Sequence, residues 1–261
     1  VKYYSEHYTA CLKSYDGKSN HNLYDVSLKE NFVNIDESIV KRVHKSMTNH
    51  FDQNHDICHS KWATYLNDFQ NIDGLEELCS TVADSLERDY FNSYVKIENL
   101  HILQNKKNVP MESSWVWHYD DCPREFMKFA IYINDVNESR GPMQIVLDNT
   151  GIPPVIESYR NHPDAIKGFP TPVFPKSRVP PSHVNSIVSS GGRVKSLVGP
   201  AGTHFLFTPN MIHRGTTPAN HEEPRMAIFM FVRPSLKKIE NYTTSAKAKK
   251  LNVNVKKYLL D

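Results

Sequence analysis

The hydrophobic period changes once along this chain, near residue 94, and that change limits the fold more than any other feature. Ahead of it, apolar residues recur at helical spacing. Val40, Val43, Met47 and Phe51 share one face behind Asp36, a candidate N-cap, and Leu75, Leu78, Val82 and Leu86 follow Asp73 and Glu76, a capping-box pattern. From Tyr94 the pattern is different. YVKIENLHIL (94–103), SWVWHYD (114–120), FMKFAIYI (126–133), MQIVL, HFLFTP and RMAIFMFV are short segments rich in aromatic and β-branched residues, as strands are. No helix-length amphipathic segment separates them, which argues against parallel βαβ units and for an antiparallel sandwich or barrel.

A chain of 261 residues is expected to form one domain. Residues 1–93 read as mainly helical support, 94–235 as a β core and 236–261 as a solvated basic tail carrying Lys237, Lys238, Lys247, Lys249, Lys250, Lys256 and Lys257. Residues 149–192 hold half of the 16 prolines and read as a long loop, expected to act as a lid. The 31 basic and 29 acidic residues give a formal charge of +2, so no global field favours nucleic acid or an anionic membrane. No apolar run reaches the roughly 18 residues of a membrane span. Cys11, Cys58, Cys79 and Cys122 form no C-x-x-C pair, and are expected to be free thiols in a reducing, cytoplasmic setting.

A His and an Asp two residues apart can hold a metal ion, but the chain has the pair three times: His50-x-Asp52, His118-x-Asp120 and His162-x-Asp164. The first pair ends a predicted helix, where residues two apart do not face each other. The second flanks no such obstacle, and the third surrounds a proline in the long loop. Only His118 and Asp120 fall on a predicted strand, which would point both side chains to one face. Two histidines and one carboxylate suit a mononuclear iron(II) oxygenase site with open positions. His213 is the candidate third ligand. Arg225, twelve positions later at the start of the next strand, can hold the far end of a dicarboxylic acid by a bidentate pair. His204 reads as structural, and Lys128 as a candidate contact to cosubstrate or substrate.

His118-x-Asp120, His213 and Arg225 in this order, with AIYINDVNESRGPMQIV and HRGTTPAN around them, resemble the iron(II)/2-oxoglutarate-dependent dioxygenases, most of all their phytanoyl-CoA dioxygenase-like branch. The resemblance covers roughly residues 95–235. It implies a double-stranded β-helix core of the jelly-roll or cupin-like kind. It also implies Fe(II) held by His118, Asp120 and His213, 2-oxoglutarate as cosubstrate paired with Arg225, dioxygen, and a small-molecule substrate oxidised at a C–H bond with release of succinate and CO2. Asp120 favours hydroxylation or a related oxidation, because halogenating relatives lack that carboxylate. The branch often has a Ser two residues after the distal His. Here that position is Gly215, with Thr216 as a candidate stand-in for cosubstrate binding. Two other readings are a cupin-like metal or ligand binder without turnover, disfavoured by Arg225, and a protein side-chain hydroxylase, disfavoured by the long lid.

Overall fold

The computed structural model describes residues 9–11, 28–53, 57–60, 63–67, 69–109, 111–123, 125–156, 174–219 and 223–248. In chain order its strands are β1 (Lys29–Glu30), β2 (Ile57–His59), β3 (Ala63–Leu66), β4 (Tyr94–Asn105), β5 (Met127–Tyr132), β6 (Met143–Leu147), β7 (Arg193–Leu197), β8 (His204–Phe207), β9 (His213–Arg214), β10 (Met226–Ser235) and β11 (Lys247–Ala248). The larger sheet runs β1-β8-β5-β10-β4-β3-β2, with β11 parallel to β4; the smaller runs β7-β6-β9. Every other pairing is antiparallel. His118 lies against the free side of β9 through a single antiparallel bridge to His213. After β4, the chain passes to the smaller sheet at His118, returns for β5, crosses for β6 and β7, returns for β8, crosses for β9 and returns for β10. That alternation is the double-stranded β-helix, the jelly-roll core expected from the resemblance.

Burial on both faces explains why the core strands read as nearly continuous apolar runs. Along β10, Ile228, Met230 and Val232 face the helices, while Ala227 and Phe229 face the smaller sheet. Between the sheets, Tyr132, Phe205, Phe207 and Phe229 meet Met143, Ile145, Leu147 and Leu197. On the far side of the larger sheet, α1 (Glu37–Asp52) and α2 (Leu75–Leu86) bring Val43, Met47, Leu78, Val82 and Leu86 onto Ile102, Phe129 and Ile228. Burial of each such side chain contributes about 1.5–3 kcal/mol. Outside the smaller sheet, α3 (Pro181–Ser189) supplies Val184 to a third cluster with Trp117, Tyr119, Val146 and Ile212.

Local signals held at α1, where the Asp36 carboxylate accepts from Ser38 N at 2.7 Å. They failed at α2. That helix begins after Gly74, at φ +80°, without a side-chain cap, and the Asp73 carboxylate instead pairs with Arg42 of α1 at 3.2 Å. The N-terminal third is not simply helical, because β1, β2 and β3 extend the larger sheet. SWVWHYD is not a strand: residues 113–115 form a 3-10 turn and only His118 bridges. The proline-rich segment is not structureless, since it contains α3, started by Pro181 at a position where a missing N–H costs nothing; residues 157–173 lie outside the described residues, and with them His162 and Asp164. The tail is docked through residue 248 rather than solvated. Tyr242 N and Thr243 N at the start of α4 (Tyr242–Ser245) each donate to the Glu76 carboxylate at 2.8 Å, and Lys247 pairs with Glu98 at 3.3 Å. Lys249, Lys250, Lys256 and Lys257 lie outside the described residues. Cys11, Cys79 and Cys122 are in no disulfide. Among the described residues no helix is long and apolar enough to cross a membrane.

Candidate metal centre

His118 and His213 are held opposite each other by their backbones. His118 N donates to His213 O at 3.0 Å and His213 N to His118 O at 2.9 Å, while Asp120 N donates to Pro209 O at 2.9 Å. The two imidazole centroids are 4.3 Å apart. Each Nδ1 meets a carbonyl two residues back, Val116 O at 2.9 Å for His118 and Met211 O at 2.8 Å for His213. A carbonyl only accepts, so each Nδ1 carries the proton and each Nε2 presents a lone pair, the arrangement in which histidines ligate metals. Both Nε2 atoms face Asp120: His118 lies 3.7 Å from Oδ1 and His213 3.6 Å from Oδ2. The three ligand atoms fall within 4.8 Å of one another, the one such group among the described residues. Asp121, at φ +51°, then turns the chain away.

Burial keeps the histidines neutral. It pushes His118 down to about 4, partly opposed by Asp120, and it pushes His213 well below the ordinary value, helped by His118 and Lys128. For Asp120 burial acts in the other direction, but Lys128, His213 and His118 outweigh it and hold the carboxyl well below the usual carboxylate range. Lys128, on β5, reaches in beneath the rings of Phe207, Phe229 and Phe231 and places Nζ 2.8 Å from Asp120 Oδ2 and 3.4 Å from His213 Nε2. Its ammonium is the cation that neutralises Asp120 here.

Arg225 shares the cavity with these groups. It is 3% exposed, and Nη2 donates to Asn105 Oδ1 at 3.1 Å. Its Nε and Nη1 are buried without a hydrogen-bond partner. Tyr132, whose ring centroid is 5.8 Å from the guanidinium carbon, accepts from Met143 N at 3.1 Å and donates to Leu197 O at 2.8 Å, and its remaining lone pair interacts with Arg225 from beyond the distance of a well-formed hydrogen bond. A buried guanidinium with two unused N–H groups needs an acceptor. The cavity has a volume of about 130 Å³, with Tyr65, Leu103, Met143, Trp115 and Phe229 among its walls.

Thr216 does not take part. Its hydroxyl donates to Pro142 O at 2.7 Å, and it is absent from the cavity wall. Gly215 does line the cavity, with the ring of Trp115 lying where a side chain at 215 would be. His204 is a satisfied core histidine, Nδ1 on Gly202 O at 2.9 Å and Nε2 accepting from Val33 N at 3.0 Å. Asn105 had no sequence signal: it orients Arg225 while its Nδ2 donates to Gly141 O and Thr216 O.

Solved structures of the same fold include EctD from S. alaskensis with 2-oxoglutarate and 5-hydroxyectoine, at 14% identity over 84% of this chain and 79% of that one, TM-score 0.53. The epimerase SnoN in complex with Fe3+, alpha ketoglutarate and nogalamycin RO matches at 14% identity over 89% and 84%, TM-score 0.52. AviO1 from Streptomyces viridochromogenes Tue57 matches at 11% identity over 89% and 97%, TM-score 0.51. No protein-family model and no curated protein matches the sequence. Identities this low establish shared architecture alone.

Proposed function

We propose that this chain is a non-haem iron(II)/2-oxoglutarate-dependent oxygenase that oxidises a C–H bond of a small molecule. The observation that carries the reading is the presence, in one small cavity, of a two-histidine, one-carboxylate set and a buried arginine with two N–H groups lacking an acceptor. Both parts fit what they would hold. Neutral imidazoles and a carboxylate grouped in one cavity form a donor set that would suit ferrous iron. A carboxylate can pair with Arg225 through one of its idle N–H groups, Nε or Nη1, together with the second N–H of Nη2, whose other N–H donates to Asn105. The fold neighbours EctD and SnoN were solved with 2-oxoglutarate, named alpha ketoglutarate in one, and SnoN with Fe3+; this supports the assignment.

Iron bound here would supply the redox chemistry, coupling decarboxylation of 2-oxoglutarate by dioxygen, to succinate and CO2, with oxidation of the substrate. The protein's own residues bind and orient. His118, Asp120 and His213 are the ligands, the Val116 and Met211 carbonyls fix their tautomers, Arg225 anchors the distal carboxylate, and Asn105 aims Arg225. A metal binder without turnover has no use for the idle N–H groups of Arg225, and a cavity of about 130 Å³ favours small ligands over an extended peptide. SnoN is an epimerase, so the fold accommodates outcomes besides hydroxylation.

Anaerobic titration with Fe(II) and 2-oxoglutarate tests the proposal. A visible charge-transfer band that requires both, is lost in His213→Ala and weakens in Arg225→Ala is expected. Its absence from folded, metal-loaded wild-type protein would overturn the assignment.

A further inference from the structure

Three buried N–H groups without acceptors belong to residues lining the metal cavity, and only two of them are on Arg225. The third is the indole Nε1 of Trp115. Trp115 is 3% exposed. An indole N–H can only donate. Buried donors without acceptors are rare in native structures, and each calls for an explanation.

The position of this indole is built into the fold. A Cβ at residue 215 would overlap Cζ3 and Cε3 of the Trp115 ring, so only glycine leaves room for it. Gly215 N donates to Ser114 O at 2.8 Å and Trp115 N to Glu112 O at 3.1 Å, which ties the 3-10 turn of residues 113–115 to the segment leaving His213. Trp115 is therefore held by the same strand end that carries a candidate metal ligand. A rigid ring seated against a glycine, with its one polar atom unpaired, suits ligand binding better than core packing, where a phenyl ring would avoid the lost hydrogen bond.

Resting on the oxygenase reading, we propose that Trp115 is a cosubstrate-binding residue whose Nε1–H donates to a carboxylate oxygen of 2-oxoglutarate, with Gly215 as the seat that positions it. The cavity, with a volume of about 130 Å³, suits a compact diacid. Beside the apolar Leu103, Met143 and Phe229, its walls carry His101, Asn105, Ser114 and Asp120, yet none of these bonds the Trp115 Nε1–H, which leaves it for a ligand acceptor.

The test uses 15N-labelled, Zn(II)-loaded full-length protein. The chain has 3 tryptophans, so the indole N–H region holds few resonances, assigned with Trp62→Phe, Trp117→Phe and Trp115→Phe. On addition of 2-oxoglutarate, the Trp115 indole proton is expected to move downfield while the others stay. By calorimetry Trp115→Phe should bind 2-oxoglutarate about tenfold more weakly, the loss of one hydrogen bond to a charged group. Gly215→Ala, which displaces the ring, should weaken binding at least as much while Zn(II) affinity is kept. If Trp115→Phe does not fold, the wild-type resonance, assigned by elimination from the other two variants, still decides. 2-Oxoglutarate binding that depends on Arg225 but leaves the Trp115 resonance unmoved would overturn this inference alone. No 2-oxoglutarate binding to wild-type protein would overturn the oxygenase reading and this inference with it.

Discussion

Replacing Arg225 by Met should weaken 2-oxoglutarate binding by orders of magnitude without destabilising the ligand-free protein. Arg225 is 3% exposed, makes one hydrogen bond, to Asn105, and buries two N–H groups that make none. Each unsatisfied group costs about 1–3 kcal/mol, so removing both recovers about 2–6 kcal/mol. Against that, Met leaves Asn105 Oδ1 unpaired, at about 1–3 kcal/mol, and gives up one modest bond. The balance lies near zero or on the stabilising side. Removing one partner of a satisfied buried charge network would instead cost about 3–5 kcal/mol. Ligand binding should reverse the order. 2-Oxoglutarate at 100 times its Kd stabilises a binding protein by about 2.7 kcal/mol, or about 5–11 °C in Tm for a chain of this size. Loss of two charge-assisted bonds of about 1.5–3 kcal/mol each lowers affinity about 10²- to 10⁴-fold and removes that shift. Differential scanning calorimetry of the Zn(II)-loaded proteins, with and without 2-oxoglutarate, reads both effects. An Arg225→Met protein that melts far below wild type, or that keeps the ligand-induced shift, would refute the claim that the idle N–H groups await a carboxylate.

Two further outcomes follow from the same geometry. The native, metal-free protein keeps His118 neutral down to about 4, whereas the unfolded chain protonates it near 6.5. In that window the unfolded state binds more protons, so stability falls as pH drops from about 6.5 to about 4, by about 3 kcal/mol from His118, with His213 acting in the same direction. Below the ordinary Asp range Asp120 adds to the loss, because its native pKa is depressed. Urea denaturation at several pH values checks this, and a flat profile, or one unchanged in His118→Asn, contradicts it. Lys128→Met should destabilise the metal-free protein by about 1–3 kcal/mol, less than for a fully buried pair because Asp120 is 22% exposed, yet bind Zn(II) more tightly because no ammonium competes for Asp120. Equal Zn(II) affinities by calorimetry would show that Lys128 and the metal do not compete.

What was legible in the sequence was mostly local. Asp36 announces α1 because an N-cap bond spans two residues, but Asp73 misleads because Arg42, 31 positions away, takes its carboxylate. The large strands β4, β5 and β10 show through their apolar runs. β1, β2 and β9 are only two or three residues long, too short for a period, and the RVKSL of β7 has a largely exposed pattern. His118 and Asp120 do come together with His213, though not for the reason the sequence suggests. They converge through the bridge to His213 and the bond to the Pro209 carbonyl, not through strand alternation, and bonds of such sequence separation leave no mark on a seven-residue window. Thr216 fails for a simple reason: successive residues in an extended segment point to opposite faces, so 215 shares a face with His213 and 216 does not. The side chain missing from Gly215 is supplied by Trp115, 100 residues earlier.

The charges in the cavity connect the metal to the diacid. Among its described wall residues, Lys128 and Arg225 stand against Asp120, and burial keeps both ligand histidines neutral, so two cations against one anion leave one unbalanced positive charge. A divalent ion alone raises that excess to three within a space of about 130 Å³, where opposing charges are poorly screened. A dicarboxylate brings it back to one. Each ligand therefore relieves the cost of the other, and by linkage the factor by which 2-oxoglutarate tightens metal binding must equal the factor by which metal tightens 2-oxoglutarate binding. The surplus that remains lies at Lys128, which the metal would displace from Asp120. A freed ammonium beside the metal ligands, boxed in by Phe207, Phe229 and Phe231, makes the last open region of the cavity attractive to an electron-rich group and repellent to a cationic one.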